Sequence, residues 1–269
     1  MKDLAGRGAL ITGGASGIGL AMAEAFAARG LRIVLCDRDA ATLESAAASL
    51  KSTGAEVLAI RLDVCDRAAW QAAIEATRAF GLLHVVCANA GISPAGAPLS
   101  ETTSEAWDRI VAVNLTGVFN TVHATAPLIK AHGEGGHIVL TSSMAGMLAA
   151  SPIGDYAVTK FGVAAMGEAL RAELAPLDIG VSILCPGVVA TPLVGESRSI
   201  GMAPQSVAQR VVQAIEADQL YVFTHADYRP LVEERFASIL SAFGPSAQAG
   251  FHEGDGVLRM MTPFGQAVD

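Results

Sequence analysis

Short apolar runs alternate with longer amphipathic stretches along most of the chain. Ala9–Thr12, Arg32–Cys36, Val57–Leu62, Leu83–Ala88, His137–Ser142 and Val181–Cys185 are hydrophobic at nearly every position. That pattern predicts strands covered on both faces, as in a parallel sheet. Between them, Ile18–Ala28, Ala40–Leu50, Arg67–Ala79, Glu105–Ala131, Tyr156–Ala175 and Ser206–Ala217 carry helical, alanine-rich patterns, and Leu231–Phe243 reads as a further helical run. Asp39 and Asp66 stand where helix N-caps are expected, and Gly30, Gly54, Gly81 and Gly133 follow expected helix ends. Alternation repeated this often predicts an α/β fold: a doubly wound parallel sheet with helices on both faces. With no linker and no solenoid repeat, residues 1–269 are expected to form one domain. Two segments break the rhythm. Residues 192–204, rich in Gly and Ser, are expected to form a mobile substrate loop. Residues 245–269 are Gly-rich and end in the apolar cluster Val257–Phe264, which is either a disordered tail or a docking segment.

Composition narrows the class. Of 269 residues, 52% are hydrophobic and 16% charged, and the mean hydropathy of +0.44 excludes intrinsic disorder. No run reaches the roughly 18 uncharged apolar residues of a membrane helix, so no membrane association is expected. The net charge of −8 and the absence of any Lys/Arg cluster argue against nucleic acid as a partner. Cys36, Cys65, Cys87 and Cys185 form no CxxC pair, and three lie in predicted strands, so they read as small core residues in a reducing compartment. The opening residues lack a secretory signal's apolar core, so a cytoplasmic location is expected.

The candidate chemistry begins where the first strand runs into Thr12-Gly13-Gly14-Ala15-Ser16-Gly17-Ile18-Gly19. Glycines tolerate positive φ in a tight turn and let phosphate oxygens approach backbone N–H groups. A helix starting near Ile18 would turn its positive end toward a pyrophosphate, and Gly19 would let it pack closely on the strand. A plain turn could carry three glycines, but the strand–turn–helix context favours a nucleotide site. The second strand ends in Asp37, whose carboxylate can accept both hydroxyls of an adenosine ribose and repel a 2′-phosphate, which favours NAD. Arg38 follows and could pair with that phosphate, or be a solvated charge at a helix start. Asp63 in Leu62-Asp63-Val64 could meet the adenine edge or act as a cap.

Tyr156 and Lys160 form Tyr-x-x-x-Lys on a helical stretch, so both side chains share one face about a turn apart. A fixed ammonium favours phenolate, and a phenol so tuned can exchange a hydroxyl proton near neutral pH. With these motifs in order, the chain resembles the short-chain dehydrogenase/reductase family over about residues 4–225. The likeness rests on Thr12–Gly19, Asn89-Ala90-Gly91, Asn114, Ser143 set 13 residues before Tyr156, and Tyr156-x-x-x-Lys160. Pro186-Gly187-Val188-Val189-Ala190-Thr191-Pro192 is similar to the family's nicotinamide-lining stretch. Ala88, just before Asn89-Ala90-Gly91, is a minor departure, since many members carry a second asparagine there.

The resemblance implies a hydride transfer between NAD(H) and a secondary alcohol or ketone. Tyr156 would be the general acid/base, Ser143 would hold the reacting oxygen, and Lys160 would bind the nicotinamide ribose and lower the tyrosine pKa. Asn114 would hold a water linking Lys160 to solvent. Gly13, Ser16, Gly17, Ile18, Gly19, Asp37, Arg38, Asp63, Val64, Asn89, Ala90, Gly91, Pro186, Gly187, Val189 and Thr191 would hold the cofactor. A homo-oligomer, tetramer or dimer, built on Glu105–Ala131 and Tyr156–Ala175 is implied as well. Met144, Met147 and Leu148 read as core or as an apolar substrate wall, which would favour a small hydrophobic substrate. Residues 219–230 with Leu231–Phe243 are loosely similar to those of bacterial members oxidising aryl or lignin-derived alcohols. The six histidines, His84, His123, His132, His137, His225 and His252, are scattered without ligand spacing, so no metal is expected. The rival readings are a non-catalytic dinucleotide sensor on the same fold, an NADP-preferring ketone reductase, and a sugar-nucleotide epimerase, whose C-terminal substrate region is usually longer.

Overall fold

A computed structural model describes residues 3–243. Among them, seven strands form one wholly parallel sheet in the order β3-β2-β1-β4-β5-β6-β7. They are β1 (Gly8–Thr12), β2 (Arg32–Asp37), β3 (Val57–Arg61), β4 (Val85–Ala88), β5 (Gly136–Thr141), β6 (Ile179–Cys185) and β7 (Tyr221–Phe223). The helices are α1 (Gly17–Ala27), α2 (Ala40–Ser52), α3 (Ala69–Phe80), α4 (Ser104–Val111), α5 (Gly117–His132), α6 (Gly154–Leu174), α7 (Pro204–Ala217) and α8 (Arg229–Ser241). This is the expected doubly wound architecture. The winding reverses between β1 and β4, and a crevice opens there at the carboxyl ends of the strands.

Near-continuous hydrophobicity translates directly into burial. Every residue of β1, β4 and β5 is buried. One face of the sheet packs on α1, α2 and α7, and the other on α3, α5 and α6. In the edge strand β3 only Val57 is buried; Leu58 and Ile60 are half-buried and Ala59 and Arg61 exposed. Small residues set the layer spacing: a Cβ at Gly167 of α6 would lie 2.4 Å from Ile183 of β6. The cysteines behave as core residues, with Cys36, Cys87 and Cys185 buried and unpaired in strands. No described helix is long and apolar enough to cross a membrane.

The structure differs from the expected elements in four ways. The stretch read as one helix, Glu105–Ala131, is two helices joined by a π-helical turn at Ala112–Thr116. β7 was not expected, because three residues are too few to establish a period. Asp39 caps α2 by accepting from Thr42 N at 2.8 Å, as predicted, but Asp66 caps the turn before α3, accepting from Ala68 and Ala69 N. The expected loop at 192–204 contains tight helical turns over Pro192–Ile200, kinked at Gly195. Backbone bonds between Met202 and both Val188 and Ala190 tie that segment to the end of β6. The cluster Val257–Phe264 lies outside the described residues.

Phe26, fully buried on α1, supports the helix that leaves the glycine turn. Phe26→Ala is expected to lower stability by about 3–5 kcal/mol, read as a lower urea midpoint with an unchanged slope. A midpoint within error of the native one would mean that this layer does not hold α1.

Candidate active site

The crevice is a cavity of about 1380 Å³, larger than one small ligand needs. Its floor is the glycine turn. Gly13 and Gly17 line the cavity with φ of +61° and +55°. A Cβ at Gly13 would come 2.9 Å from Ala90 Cα, and one at Gly17 would come 3.0 Å from Thr191 Cγ2. Gly19 lies beneath the cavity, where a Cβ would meet Gly13 O at 2.1 Å; its hydrogen is what lets α1 approach β1. Ser16, the N-cap of α1, makes no side-chain cap bond, and no acidic residue stands in the first turn. The helix therefore offers unpaired N–H groups and its positive end to an anion. At the tip of β2, Asp37 is held by backbone N–H groups, Ala15 donating to Oδ2 and Asp39 to Oδ1. Glycines with no room for a side chain, an uncapped helix start and a fixed carboxylate together fit an adenine dinucleotide. Arg38, Asp63 and Val64 also line the cavity, and Asp63 accepts from Cys65 N at 2.9 Å, as a local cap does.

A chain of hydrogen bonds leads from that turn to the other end of the site. Thr12 Oγ1 accepts from the backbone N of Asn89 and of Ala90. The Asn89 amide donates to Thr12 O and Gly13 O, and its Oδ1 accepts from Thr141 Oγ1. Thr141 O in turn accepts from Lys160 Nζ at 2.8 Å. Asn89 thus joins the tips of β1, β4 and β5, a role its motif alone did not reveal. Ser142 Oγ donates to Lys160 O at 2.8 Å and is buried, so of the two adjacent serines it is the structural one.

Ser143, Tyr156 and Lys160 all line the cavity. Ser143 Oγ accepts from Ala145 N at 3.1 Å and donates to Pro186 O at 3.4 Å. Lys160 Nζ lies 5.3 Å from the centre of the Tyr156 ring. Burial pushes the Tyr156 phenol above its ordinary range, while the Ser143 hydroxyl acts the other way. Burial pushes Lys160 down to about 8. Asn114 stands at the π turn, behind the cavity wall rather than on it. Its Oδ1 accepts from Ile92 N at 2.8 Å and its amide donates to Ile92 O at 3.0 Å. Gly91 keeps the space between Asn114 and Lys160 open, since a Cβ there would lie 3.3 Å from Asn114 Oδ1 and 3.8 Å from Lys160 Nζ.

The expected cofactor-end residues Ser16, Ile18, Ala90, Pro186, Gly187, Val189 and Thr191 also reach the cavity. Of the proposed apolar wall, Met144 and Leu148 line it, whereas Met147 belongs to the core behind. Sequence reasoning missed two contributors. Asp155, buried, accepts from Ala95 N and from Tyr156 N, pinning the loop after β4 to the start of α6. The other is α8, whose Leu231, Glu234, Arg235 and Ser238 line the cavity; their 3-1-3 spacing was a visible signal.

His84, His132 and Glu134, scattered in sequence, bring one ligand atom each to within 4.8 Å of the others. Their lone pairs are already committed. Gly8 N donates to His84 Nδ1, which leaves the Nε2 proton facing Glu134 at 3.1 Å. Glu134 N likewise donates to His132 Nδ1, and His132 Nε2 faces Leu83 O at 2.8 Å. A closed hydrogen-bond cluster accounts for these residues.

The family described as short chain dehydrogenase matches residues 7–200. The chain is 33% identical to a 1-deoxy-11-beta-hydroxypentalenate dehydrogenase of Streptomyces exfoliatus, across 87% of this chain and 88% of that one. It is 32% identical to a C alpha-dehydrogenase of Sphingobium sp. strain SYK-6, covering 91% and 89%. Among solved structures, a short chain dehydrogenase/reductase of Burkholderia phymatum in complex with NAD superposes with a TM-score of 0.86 at 30% identity, covering 93% of this chain and all of that one.

The buried ammonium of Lys160 carries a stability cost whose sign follows from its depressed pKa. Below about 8 the folded protein holds the charge out of water; between 8 and 10.5 the unfolded chain binds the extra proton, so the cost lifts as pH rises. Lys160→Met keeps the volume and removes the charge. At pH 7 it is expected to be more stable than the native chain by on the order of 1–3 kcal/mol, after losing the Thr141 bond. The gap should narrow toward pH 10. Urea denaturation of both proteins across that range is the measurement, and equal midpoints at pH 7 would refute it.

Proposed function

The chain belongs to the short-chain dehydrogenases, and from that premise we propose that it transfers a hydride between NAD(H) and a hydrophobic secondary alcohol or ketone. One observation carries the reading: Ser143, Tyr156 and Lys160 meet on the same cavity as the glycine turn and Asp37. A dinucleotide sensor has no need of a phenol and an ammonium gathered against a hydroxyl. When bound, the nicotinamide would accept or supply the hydride and, in its oxidised form, add positive charge beside Tyr156.

The protein's own groups do the rest. Tyr156 takes the carbinol proton on its phenolic oxygen in oxidation and returns it in reduction. Burial alone favours the neutral phenol, so the neighbouring Lys160 charge is what brings proton removal within reach. Ser143, steadied by Ala145 N, donates to the substrate oxygen and stabilises the charge that develops there. Asn114, locked to Ile92, keeps the helix turn open beside Lys160, where a water can relay its proton. Gly13, Ser16, Gly17 and Ile18 receive the pyrophosphate; Asp37, Asp63 and Val64 the adenosine; Asn89, Ala90, Gly91, Pro186, Gly187, Val189 and Thr191 the nicotinamide end. Met144, Leu148, Ile153 and Leu193 supply an apolar wall for the substrate.

The preference for NAD rests on Asp37. Its carboxylate accepts ribose hydroxyls and opposes a 2′-phosphate, although Arg38 on the same rim favours the opposite choice. We place this activity in a single-domain, cytoplasmic homo-oligomer, tetramer or dimer, joined through α4, α5 and α6. Phe119 of α5 and Val158 of α6, 45% and 44% exposed, support that interface.

Tyr156→Phe is expected to reduce turnover by at least 10²–10⁴-fold with nearly unchanged NAD affinity, read by NADH absorbance and calorimetry. Retained turnover would overturn the acid/base assignment. Asp37→Ala is expected to narrow the NAD-over-NADP ratio of kcat/KM by about tenfold or more. A native enzyme that already prefers NADP would refute that part of the reading.

A further inference from the structure

The face that α8 turns to the cavity has its own chemistry. Leu231, Glu234, Arg235 and Ser238 stand at spacings that put them on one side of the helix. Tyr228 and Val232 seat that helix against Met144 and Met147, just beyond Ser143. α8 therefore walls the substrate side of the cavity rather than the dinucleotide side. The cavity lining also includes the apolar side chains of Met144, Leu148 and Leu193.

Arg235 brings a cation to this face, beside Glu234, Ser238 and the apolar lining. The cavity's other cations, Arg38 and Lys160, belong to the adenosine rim and the catalytic group. The Arg235 guanidinium lies over the ring of Phe161, 5.1 Å from its centre, and 5.5 Å from that of Phe236. A cation held over aromatic faces keeps its N–H donors for an anion, because the ring faces attract it without taking up those donors. Among the described residues no carboxylate forms an ion pair with it; the one such pair on α8 joins Arg229 to Glu233. Glu234 shares the cavity face but is exposed, so water screens it more than the half-buried Arg235.

We propose that Arg235 receives an anionic group of the substrate, so that the preferred substrates are apolar alcohols or ketones carrying a carboxylate remote from the reacting carbon. This rests on the hydride-transfer reading above and narrows its substrate class. Ser238, one turn further along the same face, provides a second donor for that group.

The test compares para-(α-hydroxyethyl)benzoate with its methyl ester, two alcohols of one shape that differ in charge. The native enzyme is expected to favour the acid in kcat/KM by about tenfold to hundredfold, the range of a charge-assisted hydrogen bond. Arg235→Gln should collapse that ratio toward one, and Arg235→Lys should restore part of it. If Arg235 merely held α8 in place, both substrates would suffer alike and the ratio would persist, which overturns the proposal. Should the glutamine variant not fold, the native ratio decides: it should fall as ionic strength rises, and a ratio near one at low salt overturns the proposal. If neither alcohol turns over, the hydride-transfer reading fails first. Calorimetry of para-acetylbenzoate against its methyl ester on the NAD-loaded native protein then tests Arg235 alone: preferential binding of the acid supports it, equal binding refutes it.

Discussion

Because Lys160 is almost wholly buried, its ammonium has to find its acceptor inside the protein, and that acceptor is the carbonyl of Thr141 at the tip of β5. The next residue answers in the other direction, Ser142 donating to the carbonyl of Lys160. This two-way clasp fixes the second turn of α6 against the sheet, and with it the position of Tyr156 one turn earlier. Through Thr141 and Asn89 the same network runs on to the carbonyls of Thr12 and Gly13. The glycine turn and Tyr156 are therefore positioned by one continuous polar path crossing three strand ends.

Burial acts on the two ionisable partners in opposite directions. It raises the Tyr156 phenol and lowers Lys160, so in each case it favours the uncharged form. The proposed chemistry needs the charged ones. The fold sets this tension by enclosing both groups, opposed at Tyr156 by the Ser143 hydroxyl and at Lys160 by Cys185. A surface Tyr-x-x-x-Lys would avoid the cost and lose the coupling, because water would screen the ammonium.

What could be read before the structure was known is what local spacing encodes. The central strands declared themselves because they are buried on both faces, and Tyr156 with Lys160 because four residues on a helix fix a shared face. The glycine turn was legible because only that residue type tolerates its backbone. Contacts closed across distant segments were not legible. Asn114 gripping Ile92, Asp155 gripping Ala95, and the histidines meeting Glu134 depend on loops brought together by the sheet. α8 was visible as a helix, yet its cavity face meant nothing until Tyr228 and Val232 were seen to seat it beside Met144.

The π turn at Ala112–Thr116 has a consequence for how such a helix changes over time. Ile110 and Val118 are both buried, eight residues apart. In an unbroken α-helix that interval leaves them about 80° out of line. Absorbing one extra residue in the wider turn brings them to within about 20°. The rod before and after the turn keeps a common phase, while Asn114 occupies the added position. A length change of this kind leaves the packed stripe unaltered, so a polar side chain can enter a buried helix by insertion without any compensating change in the core.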